Sequence, residues 1–278
     1  AMTDARLRAP SFNRAALVCR AVESVLAAIE PGDEIIVVDD GSSDDTVARL
    51  ASFGDRVRVV FSSHRGAGAA RNHGIRVAAN PLIAFLDSDD TWMPDKLALQ
   101  RALMESRPDI LFSFSDFVSR EPTGDYARQL RRWHHDPRSW DDILGPGVAY
   151  SSVAPLPPGR DDFRVHVGDL YLSEMQRDYV ATFTLVVRAD KAGDALRFSE
   201  DVATFEDWEC FARLARAGKA AYLDCETAWQ YGHAGPRLTD AAALDRALSR
   251  LRILERVWGA DPEFLKQHEA EYREVGRK

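Results

Sequence analysis

Apolar runs and amphipathic segments alternate through the first hundred residues of the chain. The apolar runs predict buried strands, and the first is the weakest because Arg6 and Arg8 interrupt it. Strands that alternate with helices are typical of a doubly wound, mostly parallel sheet flanked by helices, so the pattern predicts an α/β fold. Strands are predicted at 5–12, 34–38, 57–61 and 82–86, and helices at 14–29, before residue 52, from 66 to about 80, and after Pro94.

The alternation is less regular beyond residue 113. No linker sets off residues 113–180, so we interpret them as an insertion over a crevice and not as a separate domain. The predicted elements are strands at 109–114, 116–118, 182–187, 220–223 and 228–231, helices at 171–177 and 204–214, and a loop at 145–159.

Large apolar residues at helical spacing mark the C-terminal region. They predict a helix over 240–258 whose apolar stripe packs on the sheet, and Asp261-Pro262 begins a last, more charged helix. The stripe consists of Leu244, Leu248, Leu251, Leu254 and Trp258.

Carboxylates directly follow two of the predicted strands. Asp39 ends one strand, and Asp87, Asp89 and Asp90 follow another. Ligands of open α/β sheets bind beyond the carboxyl ends of the strands, and carboxylates crowded there repel each other unless a cation lies among them. Asp-x-Asp offers hard oxygen ligands that suit Mg²⁺ or Mn²⁺ carrying a phosphate. An isolated Asp-Ser-Asp-Asp is more often an acidic surface turn, so the metal site depends on the features around it.

Two glycines, Gly66 and Gly68, open the helix that follows the third strand and carries Arg71 and Asn72. A helix N-terminus with close backbone access suits a phosphate, although a glycine pair alone marks only a helix start. Together with the two acidic strand ends, this segment predicts a single shared crevice.

Composition narrows the class of protein. The chain has 278 residues, 45% of them hydrophobic, and a net charge of −8, which argues against a broadly nucleic-acid-binding surface. Its three cysteines lack metal-ligand spacing, and their odd, sparse number fits a reducing cytoplasm. We find no signal peptide and no apolar run near the roughly 20 residues that a membrane span requires, so we expect a cytoplasmic protein.

Five motifs, in this order, resemble the family 2 glycosyltransferases, which have the GT-A fold. The resemblance covers about 10–96 and resumes over about 181–239. That family transfers a sugar from a nucleoside diphosphate sugar to an acceptor with inversion at the anomeric carbon, usually with Mg²⁺ or Mn²⁺. The motifs are Pro10-Ser11-Phe12-Asn13, Val38-Asp39-Asp40-Gly41-Ser42, Gly66 to Asn72, Leu86-Asp87-Ser88-Asp89-Asp90, and Glu206-Asp207.

The resemblance implies a role for each candidate residue. Asp207 would be the general base, and Glu206 would help to orient it. Asp39 would accept a hydrogen bond from the nucleotide base, typically from uracil N3–H, and Phe12 would lie against that base. The nucleotide-binding residues would be Pro10, Phe12, Asp39, Gly66, Arg71, Asp87 and Ser88, and the metal-binding residues Asp89 and His233.

The same resemblance suggests an organisation and partners. Residues 2–112 would form the nucleotide-sugar-binding α/β half, 113–239 the acceptor-binding and catalytic half of the same domain, and 240–278 a C-terminal helical extension. The expected donor is a UDP-sugar, with GDP- and dTDP-sugars open. The acceptor is a saccharide, a lipid-linked saccharide or a small molecule, and no nucleic acid is expected. Peripheral membrane association and a homodimer remain open.

Two other functions compete with sugar transfer. A sugar-phosphate nucleotidyltransferase would need a Gly-rich run with Lys or Arg after the first strand, where this chain has Ser11-Phe12-Asn13-Arg14. A catalytically silent sugar-nucleotide or glycan-binding module would not need Asp207 as a base, since binding alone requires no proton transfer.

Overall fold

The computed structural model describes residues 6–11, 15–130, 136–202, 204–231 and 242–277, and for 6–11 it describes the backbone only. The strands come from the apolar runs and from several shorter segments. In chain order they are β1 (Arg6–Ser11), β2 (Glu34–Asp39), β3 (Val57–Phe61), β4 (Leu82–Ala84), β5 (Thr91–Trp92), β6 (Ile110–Glu121), β7 (Gly124–Tyr126), β8 (Val148–Ala149), β9 (Arg164–Gly168), β10 (Val186–Arg188) and β11 (Lys219–Tyr231).

The helices lie mainly where apolar residues recur at helical spacing. In chain order they are α1 (Ala15–Leu26), α2 (Thr46–Ala51), α3 (Gly66–Val77), α4 (Lys96–Ser106), α5 (Trp140–Leu144), α6 (Tyr171–Gln176), α7 (Ala189–Ala192), α8 (Glu206–Ala217), α9 (Ala243–Val257) and α10 (Pro262–Val275). No helix in the described ranges is both long enough and apolar enough to cross a lipid bilayer.

Two sheets carry the fold. The first contains three parallel strands in the order β1-β2-β3, and its register aligns Ser11 with Asp39 and Asp39 with Phe61. The second has the order β4-β10-β6-β11-β9-β8, and β4 packs beside β1. The predicted α/β architecture with flanking helices is therefore confirmed.

Strand direction is more mixed than the prediction of a mostly parallel sheet. In the larger sheet β6 and β11 are parallel, whereas β4 and β6 both pair antiparallel with β10, and β9 pairs antiparallel with both β11 and β8. The parallel prediction extrapolated the strand–helix alternation of the first hundred residues. Beyond α4, strands are no longer joined by regular helical crossovers, so antiparallel pairing becomes possible.

The predicted insertion is partly built into this sheet. β6 runs without a break through residues predicted as a strand and its exit, and the expected boundary between residues 112 and 113 falls inside it. Its first ten residues are buried. Residues 220–223 and 228–231 likewise belong to one long strand, β11, which bends at irregularities in its pairing with β6.

Residues 182–187 differ from the predicted strand. Thr182–Thr184 form a single 3₁₀ turn, and β10 begins only at Val186. The β-branched residues favoured a strand, but tertiary hydrogen bonds to this turn, described below, decide its conformation.

The leucine stripe of α9 also differs from its prediction. Leu244, Leu248 and Leu251 are 69%, 45% and 43% exposed, so they do not pack on the sheet. Leu254 and Trp258, the last two members of the predicted stripe, are buried as expected, together with Ile253 and Val257. Spacing correctly predicted a helix here but selected the wrong face near its N-terminus.

Candidate active site

Asp39 lies at the carboxyl end of β2, and its carboxylate is almost fully buried. Its Oδ2 accepts a hydrogen bond from the Ser42 backbone N–H at 3.1 Å. Its Oδ1 is buried and has no hydrogen-bond partner among the described residues. A buried oxygen without a donor is costly, so this atom is suited to receive an N–H from a ligand.

Asp40, the next residue, caps the N-terminus of α3 with its side chain. Its carboxylate accepts backbone N–H groups from Arg65 at 3.1 Å and from Gly66 at 2.8 Å. Gly66 has a φ of +87°, a conformation that favours glycine. The amide that we expected to meet a phosphate is thus bound to Asp40, and a phosphate on Gly66 N would have to displace this carboxylate. Gly66 stays a predicted nucleotide-binding residue.

Arg71 joins the acidic strand end to helix α8. Its buried guanidinium donates from Nη2 to Asp87 Oδ1 at 2.6 Å and from Nη1 to Glu206 Oε1 at 2.8 Å. Helix α3 can pack this closely against the segment that contains Ser199 because residue 68 is a glycine. A Cβ on Gly68 would lie 2.1 Å from the Ser199 carbonyl oxygen. The planar guanidinium fork holds both carboxylates in fixed positions.

The loop after β4 carries the remaining residues that were predicted to bind the nucleotide or the metal. Asp87 is half-buried, and burial raises the pKa of its carboxyl, with Arg71 opposing the rise and the charge of Asp89 adding to it. Asp89 is also half-buried, and its backbone carbonyl accepts from Arg20 Nη2 at 2.7 Å. Ser88 is buried, and Asp90 accepts the Tyr231 N–H at 3.2 Å.

A divalent cation fits this donor set. Asp87 and Asp89 supply hard carboxylate oxygens, and their mutual repulsion is what a cation relieves. Within the described residues no three His, Cys, Asp or Glu side chains are grouped for a metal. A cation held by these two carboxylates would therefore need phosphate oxygens and water to complete its coordination. Mg²⁺ is commonly bound in this way, by one or two carboxylates and a phosphate.

Asp207 lies in the first turn of α8, beside Glu206. Phe205 precedes the helix with a φ of 64°, a conformation uncommon for a bulky residue. Asp207 Oδ2 accepts from Thr182 Oγ1 at 3.0 Å, and its Oδ1 accepts the Trp208 N–H at 2.9 Å. Burial, and then the charge of Glu206, raise the pKa of Asp207 to about 6. A carboxyl with such a pKa is ionised at neutral pH but is a stronger base than an ordinary aspartate.

Behind Asp207 lies a second pair of carboxyl groups. Glu174 is fully buried in α6, and its side chain interacts with that of Asp178. Glu174 Oε1 and Asp178 Oδ1 are buried and have no hydrogen-bond donor among the described residues. Burial raises the pKa of both carboxyl groups well above the usual range. The charge of Asp178 adds to the rise at Glu174, and the charge of Asp207 adds to the rise at Asp178. Two carboxyl groups can share a hydrogen bond only when one of them carries a proton.

The structure thus brings several predicted residues into one connected network. Arg71 links Asp87 to Glu206, next to Asp207, and Asp39 ends a strand of the neighbouring sheet. Phe12 and His233 lie outside the described residues, and Pro10 is described only as part of the backbone of β1. Sequence reasoning missed Asp40, Thr182, Glu174 and Asp178, because their partners are distant in sequence or carry no motif.

Known proteins resemble this chain in sequence and in fold. Residues 9–151, just over half of the chain, match the family model described as Glycosyl transferase family 2. The succinoglycan biosynthesis protein ExoU of Rhizobium meliloti is 32% identical over 222 residues, which are 78% of this chain and 58% of that protein. The chain therefore spans less than two thirds of this relative's length.

Solved structures share the fold at lower sequence identity. S. aureus TarS (residues 1–349) in complex with UDP-GlcNAc superposes with a TM-score of 0.70 at 17% identity, over 98% of this chain and 70% of that one. The mannosyltransferase PcManGT of Pyrobaculum calidifontis, in complex with GDP-Man and Mn²⁺, gives a TM-score of 0.61, also at 17% identity and with the same coverage. Together with the family match, these findings show that the chain belongs to glycosyl transferase family 2 and has the GT-A fold.

Proposed function

We propose that the protein transfers a sugar from a nucleoside diphosphate sugar to an acceptor hydroxyl, with inversion and with assistance from a divalent metal. The observation that carries this proposal is the Asp87–Arg71–Glu206 network, which ends beside Asp207, a carboxylate whose pKa is raised to about 6. It joins a predicted metal-binding strand end to a predicted base.

The buried Oδ1 of Asp39 supports a role in binding the nucleotide. It is an acceptor in need of a donor, and uracil N3–H supplies one. Guanine N1–H could do the same, and the two structural neighbours contain UDP-GlcNAc and GDP-Man. We propose a UDP-sugar as the donor.

Asp87 and Asp89 would hold the Mg²⁺ or Mn²⁺ ion, which when bound would offset charge on the leaving diphosphate. Arg71 would keep Asp87 in place, and its positive charge would add to the attraction for the diphosphate. These residues would therefore both bind the donor and favour departure of the nucleoside diphosphate.

Asp207 would act on the acceptor. Its carboxylate would accept the hydroxyl proton as the acceptor oxygen bonds to the anomeric carbon. The bond from that carbon to the diphosphate oxygen breaks on the opposite face, and the leaving nucleoside diphosphate retains the electron pair. One displacement inverts the anomeric carbon and requires no covalent enzyme intermediate.

Product formation over a panel of UDP-, GDP- and dTDP-sugars, each with Mn²⁺, Mg²⁺ or EDTA, tests the proposal. Saccharide and lipid-linked saccharide acceptors should be included. Metal-dependent transfer or donor hydrolysis with one nucleotide class is the expected result. Tight donor binding with neither transfer nor hydrolysis would instead identify a catalytically silent sugar-nucleotide-binding module.

A further inference from the structure

The 3₁₀ turn Thr182–Thr184 is held at successive carbonyl groups. Trp92 Nε1 donates to the Phe183 carbonyl at 2.8 Å. The Thr184 carbonyl accepts from Lys96 Nζ and from Gln100 Nε2, both at 2.9 Å. All three donors come from the segment that follows the Asp87–Asp90 carboxylates, at β5 and α4.

These donors are unusual because they are buried. Lys96 and Gln100 are fully buried, Lys96 also donates to Gln100 Oε1, and Trp92 is 3% exposed. Burying a lysine is costly, and no ion pair to Lys96 is present among the described residues. Burial lowers the pKa of Lys96 well below its usual value, and its amino group holds the turn that carries Thr182.

Thr182 places its hydroxyl on the predicted base. The side chain is 4% exposed, and Oγ1 donates to Asp207 Oδ2 at 3.0 Å. With the Trp208 N–H on Oδ1, each carboxylate oxygen receives one hydrogen bond from the protein. Each oxygen keeps a lone pair for an acceptor hydroxyl, and the plane of the carboxylate is fixed.

We propose that Thr182 is a positioning residue for Asp207 and that Trp92, Lys96 and Gln100 hold the turn from which it acts. This inference rests on the proposed function, in which Asp207 is the general base. The segment that follows the predicted metal site would then also hold the turn that positions the general base. The same part of the chain would support both binding of the sugar donor and deprotonation of the acceptor hydroxyl.

The acid limb of the pH–rate profile reports on this contact. The base must be ionised, so kcat/KM falls as the pH drops through the apparent pKa of Asp207, about 6. The Thr182 hydrogen bond favours the carboxylate, and its loss should raise that pKa. Other charged groups act on Asp207 from its own helix and from the elements around it: Glu206, Arg71, Asp87, Glu174 and Asp178.

The experiment compares Thr182→Val, Thr182→Ser and Thr184→Val with the wild-type protein across pH 5 to 9. Thr182→Val should move the acid limb up by about one pH unit, the shift that corresponds to losing one hydrogen bond to a charged group. Thr182→Ser keeps a hydroxyl and should restore the wild-type limb. Thr184→Val is the matched control, since its hydroxyl donates to the Ala181 carbonyl within the same turn and not to Asp207.

The outcomes separate this inference from the proposed function. A transferring wild-type enzyme that is inactivated by Asp207→Asn, but whose limb is unmoved in Thr182→Val, would overturn the inference alone. A limb that moves equally in Thr184→Val would also overturn it, because the effect would belong to the turn as a whole. Absence of transfer by the wild-type protein, or full activity of Asp207→Asn, would overturn the proposed function itself.

Discussion

At the scale of single residues, the candidate site is defined by where buried polar atoms find partners. Asp39 Oδ1 has no partner among the described residues, whereas both Asp207 oxygens receive hydrogen bonds from the protein. The first arrangement suits binding of a ligand N–H, and the second suits a base held in one orientation. The two aspartates therefore have different environments and different predicted roles.

Asp39→Asn tests the nucleotide contact. The Ser42 N–H would still donate to the side-chain oxygen of the asparagine. The new NH₂ group would therefore face the nucleotide base, where two N–H donors would oppose each other. We expect about tenfold weaker UDP binding by calorimetry, equivalent to about 1.4 kcal/mol. Asp45→Asn in the same loop is the control, since Asp45 is exposed, and it should bind UDP normally. Unchanged affinity in Asp39→Asn would remove Asp39 from the base pocket.

At the scale of elements, α3, α6 and α8 meet through buried charged groups. α3 contributes Arg71, α8 contributes Glu206, and α6 packs on α8 with Trp208 Nε1 donating to the Glu174 carbonyl at 2.9 Å. The Glu174–Asp178 pair lies at this second contact. A proton held by this pair would make the packing of these helices depend on pH.

Glu174→Gln should stabilise the protein increasingly as the pH rises above the unfolded pKa of a glutamate, about 4. The pKa of Glu174 is raised in the folded state, so above the unfolded pKa, about 4, the folded protein binds more protons and stability falls as pH rises toward the folded pKa. A glutamine at 174 can accept a hydrogen bond from the Tyr179 N–H through its oxygen and donate one to Asp178 through its NH₂ group, so neither residue needs to bind an extra proton. We expect the Tm advantage over the wild-type protein to grow between pH 5 and pH 8, by about 2–4 °C for each kcal/mol recovered.

Glu105→Gln, at the end of α4 and exposed, is the control for that measurement. A Tm difference between Glu174→Gln and the wild-type protein that stays constant across this pH range would show that no proton is shared by the pair.

Local sequence pattern predicted some strands and helices correctly and failed for others. Strand β2 is an uninterrupted apolar run, and α8 begins at an acidic pair and ends before Gly218, so local pattern was sufficient for both. Thr182–Thr184 was predicted as a strand because its turn depends on buried donors about ninety residues away in the chain. Leu244, Leu248 and Leu251 were wrongly assigned to the core, whereas Leu254 of the same stripe is buried, because spacing identifies an apolar face but not how much of it meets the rest of the protein.

Site residues divide in the same way. Asp39, Asp87, Glu206 and Asp207 were predicted because they belong to short motifs, and the structure connects three of them through Arg71 or direct sequence neighbourhood. Asp40 could not be assigned as the cap of α3, because its partners Arg65 and Gly66 are about 25 residues away. Such pairings are set by how the elements pack and not by local sequence.

At the scale of the whole molecule, donor binding would connect the parallel sheet to the larger sheet. Asp39 ends a strand of the first, whereas Asp87 and Asp89 follow β4 of the second. A ligand that contacts both stabilises the folded protein by an amount set by its concentration relative to Kd.

UDP with Mn²⁺ should therefore raise the Tm, by an amount equivalent to about 2.7 kcal/mol at a ligand concentration of 100 times Kd. UDP with EDTA should raise it much less. In Asp89→Ala the metal-dependent part of this rise in Tm should vanish. Asp55→Ala is the control, since Asp55 is exposed in the turn before β3, and it should behave like the wild-type protein. A full metal-dependent rise in Asp89→Ala would mean that the metal is held elsewhere.

The central claim is that Asp207 is the general base, and Asp207→Asn tests it most directly. With the donor and acceptor identified by the panel, transfer and UDP binding should be measured side by side on the variant and the wild-type protein. We predict that kcat falls by about 10²–10⁴-fold while UDP affinity with Mn²⁺ stays within about twofold, because proton transfer is lost and the donor contacts remain. Transfer at the wild-type rate, or loss of UDP binding in step with activity, would contradict the account.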